Sequence, residues 1–168
     1  MAVSPEKMLR EAGCSDKVLS HCKAVRDVAL EYAENSVEVD MNLVEAGAML
    51  HDFGRCATHS IAHAQTGADM LRALGEPEEL ARIVECHTGA GLTADECTLL
   101  GLAPRDCVPR TTEEKIVCHA DNLISGKKRV NIEDTLANAY PLPRKARIRM
   151  YCLARDVDLL CSRISRTV

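Results

Sequence analysis

The sequence predicts an all-α fold, and three observations carry that prediction. Apolar residues recur at three- and four-residue steps, the period of a helix face, and not in the alternation of a half-buried strand. Aromatic residues are scarce, with one Phe, three Tyr and no Trp, and β-branched runs are missing; the core must come from Ala, Leu, Val, Ile and Met. Pro, Gly and Ser/Thr capping signals then cut the chain into pieces of helical length.

Ser4-Pro5 reads as an N-cap followed by Pro at the first helical position, and Gly13 as the stop, giving a short helix over about 5–12. Ser15 caps a longer helix to about residue 34, with Val18, Cys22, Val25, Val28, Ala29 and Tyr32 on its buried face. Residues 42–53 are apolar almost all round, as expected of a central helix ended by Gly54. A helix over about 60–74 puts Ile61, Ala64, Ala68, Leu71 and Leu74 on one face, and Pro77 starts another that runs to His87. Thr93 with Glu96 and Thr111 with Glu114 are capping boxes, the second opening a helix through Ile116, Val117, Ala120, Leu123 and Ile124. After the basic turn Lys127-Lys128-Arg129 and Pro141/Pro143, a last helix carries Met150, Ala154, Val157, Cys161 and Ile164. At 168 residues with no linker or repeat, the expectation is one domain over 1–168, which can bury a core without disulfides or structural metal.

Composition narrows the function classes. A net charge of -4 gives no global attraction for nucleic acid, and so few aromatics leave little for bases to stack on, so a polynucleotide partner is disfavoured. Nine cysteines, odd in number and without a CxxC pair, fit neither a disulfide framework nor a zinc ribbon but do fit reduced thiols in a cytoplasm. No apolar signal core opens the chain, and no run approaches the roughly 20 apolar residues that cross a bilayer. A cytoplasmic protein without a membrane segment is expected.

Several polar residues sit where the helix stripes call for apolar ones. His21 lies between Val18 and Val25, Asp121 between Val117 and Ile124, His87 follows Ile83 and Val84, and His51-Asp52 ends the most apolar helix. Desolvating an imidazole or carboxylate is costly unless a partner compensates. One inward His is ordinarily a core residue bonded to a carbonyl; several on separate helices are better explained by convergence on one cation. Arg55, just past the doublet, is placed to hold a substrate phosphate, and Lys127 and Lys128 to steer an anionic one.

The words SHCKAV around His21, AGAMLHDFGR around His51-Asp52 and EEKIVCHADNL around Asp121 resemble the HD-domain superfamily of metal-dependent phosphohydrolases. The resemblance implies an irregular bundle of five or more helices with a C-terminal helix packed on it. It places a metal-binding core over 15–125 and a helical extension over 130–168. It also implies that His21, His51, Asp52 and Asp121 bind a first metal. The chain is similar to the dinuclear branch too, which includes bacterial diadenosine tetraphosphate hydrolases; there His63 and His87 would join a second ion and Asp52 would bridge. His59 precedes His63 by four residues, so either could be the ligand; the Thr-Gly-Ala after His63 favours it, leaving His59 as a phosphate contact or a solvated residue. His119, two residues before Asp121, reads as a partly exposed surface residue outside the site.

The expected cofactor is one or two divalent transition-metal ions, drawn from Fe, Mn, Ni, Co or Zn. Mixed imidazole and carboxylate ligation can bring a bound water's pKa toward about 7, making hydroxide available at neutral pH. The function implied is hydrolysis of a phosphate ester, with a small nucleotide or dinucleotide polyphosphate as substrate and Asp52 and Arg55 as catalytic residues. A mixed-valent di-iron oxygenase and a non-catalytic metal- or nucleotide-binding module are the alternatives, and a homo-oligomer stays open.

Overall fold

In the computed structural model, residues 4–162 are described, and Ile164 of the last predicted helix lies outside them. The order is α1 (Pro5–Glu11), α2 (Asp16–Glu34), α3 (Met41–Leu50), a 3-10 turn (Phe53–Cys56), α4 (His63–Ala73), α5 (Glu78–Cys86), α6 (Ala94–Leu99) and α7 (Thr112–Asn122). There follow β1 (Ile124–Ser125), β2 (Lys128–Arg129), α8 (Ile132–Asn138) and α9 (Arg144–Ser162). The all-α expectation holds, apart from a two-residue antiparallel ladder pairing Ile124 with Arg129 and Ser125 with Lys128.

Local chemistry sets most of the boundaries. Ser4 and Ser15 accept from Lys7 N and Val18 N, and both capping boxes form with the Glu side chain reaching back to the cap N–H, each worth about 1 kcal/mol. Three expectations need correcting. α4 starts at His63, not near 60, because the Thr58 and Ser60 hydroxyls accept the backbone N–H groups of Ser60 and Ala62 and hold them in a turn. Ile61 therefore precedes the helix and Leu74 caps its end, and both are exposed, at 40% and 63%. α7 stops at Asn122, so Leu123 and Ile124 are buried from the turn and strand that follow it. α8, unanticipated, is a seven-residue helix capped by the Asn131 side chain on Asp134 N.

Two apolar clusters meet along α3 and α5. Val25, Val44, Ala48, Ile83, Ile116 and Val157 represent one; Leu9, Leu19, Leu50, Phe53, Leu71 and Val84 the other. Burying such side chains contributes about 1.5–3 kcal/mol each, which fixes the C-terminal end of α3 and of α5 beside the middle of α2 and the end of α7. Gly54 makes the next join possible: its backbone lies so close to His63 O and Gly67 N that a Cβ there would overlap both, so the 3-10 turn packs flush on α4.

Candidate metal centre

Four imidazoles are oriented by one device. His51 and His87 donate from Nδ1 to the carbonyls three residues earlier, Ala48 and Val84, each at 2.7 Å. His63 does the same to Ser60 O at 2.8 Å, and His21 reaches Gly126 O, 105 residues away, at 2.7 Å. A carbonyl only accepts, so each Nδ1 carries the proton and each Nε2 presents a lone pair. Those lone pairs converge. His63 Nε2 and His87 Nε2 face each other at 3.1 Å, and His51 Nε2, fully buried, has no hydrogen-bond partner among the described residues.

Two carboxylates complete the cluster. Asp121 Oδ1 is 3.0 Å from His21 Nε2 and 3.5 Å from His51 Nε2. Asp52 turns Oδ1 toward His63 at 3.2 Å and His87 at 3.6 Å, and Oδ2 toward His51 at 3.8 Å. Burial works to raise the Asp52 carboxyl, but His63, His87 and His51 outweigh it and hold it well below the usual carboxylate range. His21 and His51 hold Asp121 low against its burial in the same way. Burial opposes a charge on His51, yet Cys22 and Asp121 raise its pKa well above the ordinary value, so without a metal a proton competes for the Nε2 lone pair that a cation would take; burial pushes His87 down.

Opposed lone pairs and ionised carboxylates in one buried space repel unless a cation lies among them. The donor set therefore fits a divalent ion. His21, His51 and Asp121 form one group close enough to hold it, and His51, Asp52 and His87 a second that shares His51. Imidazole nitrogen with carboxylate oxygen suits first-row transition metals.

Residues 18–126 match the HD domain, and this span carries all six side chains. The chain belongs to the HD-domain family. It is 52% identical over 127 residues to the uncharacterised protein MJ0778 of Methanocaldococcus jannaschii, covering 73% of this chain and 75% of that one. It is 44% identical over 131 residues to a tRNA (cytidine(56)-2'-O)-methyltransferase of Thermoplasma volcanium, covering 78% of this chain but only 38% of the methyltransferase. A Picrophilus torridus protein of the same description is matched over 46% of its length, so this chain corresponds to less than half of either methyltransferase. Ribonuclease Y of Fervidobacterium nodosum is 29% identical over 140 residues, covering 80% of this chain and 24% of that enzyme. Among solved structures, the HD domain of Listeria monocytogenes phosphodiesterase PgpH in complex with cyclic-di-AMP shares the fold. Its TM-score is 0.57 at 14% identity, over 95% of this chain and 94% of that one.

The remaining predicted residues surround the HD cluster at different depths. His59 is exposed in the loop before α4, whereas His63 is buried in the cluster, so the two do not share a helix face. Arg55 donates from Nε to Asp52 Oδ1 at 3.1 Å and from Nη1 to His59 O at 3.0 Å, and is partly open to solvent. Lys127 is exposed on the β1–β2 turn and Lys128 at the start of β2, and Lys127 lines a surface pocket with Asp16, Lys17, Ser20 and Gly126. That turn supplies the carbonyl that orients His21; Gly126 makes it at φ +64, a conformation that L side chains rarely adopt.

Two features escaped the sequence reading. His119 is buried, not partly exposed: its ring packs edge-on against Tyr32 at 5.2 Å and its Nδ1 has no partner among the described residues, on the side of α7 away from Asp121. It follows Ile116 by three and precedes Leu123 by four, and that spacing was the available signal. Cys118 and Asn122 also tie α7 to the turn after His87, with Cys118 Sγ 3.2 Å from His87 O and Asn122 donating to Gly89 O. Nothing in their spacing marked those long-range bonds.

Proposed function

We propose that this HD-domain chain is a metal-dependent phosphohydrolase acting on a phosphate ester of a nucleotide or dinucleotide polyphosphate. One observation carries the reading: four imidazole Nε2 atoms and two ionised carboxylates turned onto one buried space, with their Nδ1 atoms already committed. His21, His51 and Asp121 would hold one divalent ion, and His63 and His87 a second, with Asp52 between the two. Asp52 suits a bridging role, because its two oxygens face different imidazoles. Metal ions in such a site supply Lewis acidity toward a phosphoryl oxygen and lower the pKa of coordinated water.

The chain's own groups do the rest. The backbone carbonyls of Ala48, Ser60, Val84 and Gly126 fix each imidazole's tautomer and angle. Arg55 bridges Asp52 and the loop at His59, from where its guanidinium can take a non-bridging phosphate oxygen as the substrate enters. Lys127, beside the carbonyl that holds His21, adds positive potential at the rim.

A second reading, hydrolysis of phosphodiester bonds in RNA, is favoured by ribonuclease Y among the relatives. Protein purified without a chelating tag, reloaded anaerobically with Mn, Fe, Co, Ni or Zn, should be assayed on dinucleoside polyphosphates, nucleotides, a cyclic dinucleotide and a short RNA. Release of nucleotide or phosphate by the wild type and none by Asp52→Ala is expected. Folded, metal-loaded protein that cleaves nothing on the panel would overturn the proposal, and turnover that consumes dioxygen would replace it with an oxygenase.

A further inference from the structure

Whole-chain composition conceals a local arrangement on the C-terminal elements. Between Asp134 and Asp156 the chain carries five cations and no acid, although the net charge is -4. Arg149 is committed inward, to Glu96 at 2.7 Å and to the carbonyls of Ala90 and Gly91. Arg144, Lys145, Arg147 and Arg155 form no ion pair with any described residue. Two of the three tyrosines lie in the same segment, Tyr140 at 78% exposure and Tyr151 at 54%. The Arg147 guanidinium stands over the Tyr140 ring at 5.9 Å, its Nε without a hydrogen-bond partner among the described residues. Along α9, Arg144, Ile148, Tyr151 and Arg155 follow one another at steps of four, three and four, all exposed, and so form one stripe.

We propose that this stripe, with Tyr140 and Arg147 at its start, is a docking surface for a single-stranded polynucleotide. Unpaired cations match backbone phosphates, and open aromatic faces between them match unstacked bases, the pairing that single-strand binders use. A lipid surface fits less well. An interfacial helix needs a continuous apolar face, and the apolar face of α9 is already spent on the core through Met150, Leu153, Ala154 and Val157.

The test is fluorescence anisotropy with labelled single strands of about 12 nucleotides, one RNA and one DNA, in EDTA so that hydrolysis plays no part. Four neutralised phosphates give a slope near -3 in log affinity against log salt, or about a 50-fold loss between 50 and 200 mM. Tyr140→Ala and Tyr151→Ala should each weaken binding about tenfold. The double variant Arg144→Glu with Arg155→Glu should flatten the salt slope, with the far-UV spectrum and the hydrolysis of a small phosphodiester unchanged. Binding of either strand with these losses supports the surface, and the RNA-to-DNA ratio identifies the sugar it reads. Absent or salt-independent binding, equal affinity in all variants, preference for a duplex, or capture only by phosphatidylserine vesicles would each overturn it.

Discussion

Glu85 and His87 stand two residues apart at the end of α5, and each is the centre of a buried polar cluster. Glu85 is fully answered: Arg72, Arg82 and Arg105 each donate to its carboxylate at 3.0 Å, and Asp69 and Glu78 balance two of those arginines from outside. His87 is not answered, since its Nε2 meets the Nε2 of His63 and a carboxylate already shared with His51. Burial cost is common to both, so the difference is in completion. A network whose charges are matched by its own side chains holds α4, α5 and the 103–110 loop together; one whose donors all point at the same gap is built for something absent from the chain.

Breaking each cluster should therefore have opposite consequences. The largest expected effect is Asp52→Ala, which should abolish hydrolysis and metal retention together while the helical spectrum persists; wild-type turnover would remove Asp52 from the site. Next, Glu85→Ala leaves three guanidiniums without their shared acceptor and should cost about 3 kcal/mol in urea unfolding, with metal content unchanged. Loss of metal in that variant would blur the distinction between the clusters.

Smaller effects sharpen it. Gly126→Val forces a positive φ on a branched residue at roughly 1–2 kcal/mol, and by displacing the carbonyl that orients His21 should weaken metal affinity about 10–100-fold. Unaltered affinity would show that the hairpin does not set that imidazole. The pH dependence is smaller still. Burial raises the Glu85 carboxyl, but Arg72 and Arg105 outweigh it and hold its pKa below the ordinary 4.5. Its contribution is therefore complete above pH 4.5 and lost as pH falls through the depressed value. Acid titrations of wild type and Glu85→Gln should diverge above that point and converge below it.

The sequence displayed whatever was decided locally. The capping boxes at Thr93 and Thr111 and the stop at Gly13 needed only near neighbours, and the bundle order followed from them. α8 is short and its stripe of Ile132, Leu136 and Ala139 is buried only in part, so its signal is weak, and the start of α4 is displaced because Thr58 and Ser60 compete for the backbone. Inward His and Asp were legible as breaks in apolar stripes, which is how His21, His51, Asp52, His87 and Asp121 came to notice. His119 breaks a stripe equally, three residues after Ile116 and four before Leu123, but on the face of α7 opposite Asp121, where it meets the core and not the cluster. The hold of Gly126 O on His21 and the grip of Arg55 on Asp52 and His59 O depend on chain returns or turn geometry that no spacing encodes.

Elemental analysis of untagged protein, beside the same measurement on Asp52→Ala, tests the central claim most directly. The prediction is one to two equivalents of a first-row transition metal per wild-type chain and a clear deficit in the variant. Wild-type protein that stays metal-free after incubation with each ion, or a variant as fully loaded as its parent, would contradict it.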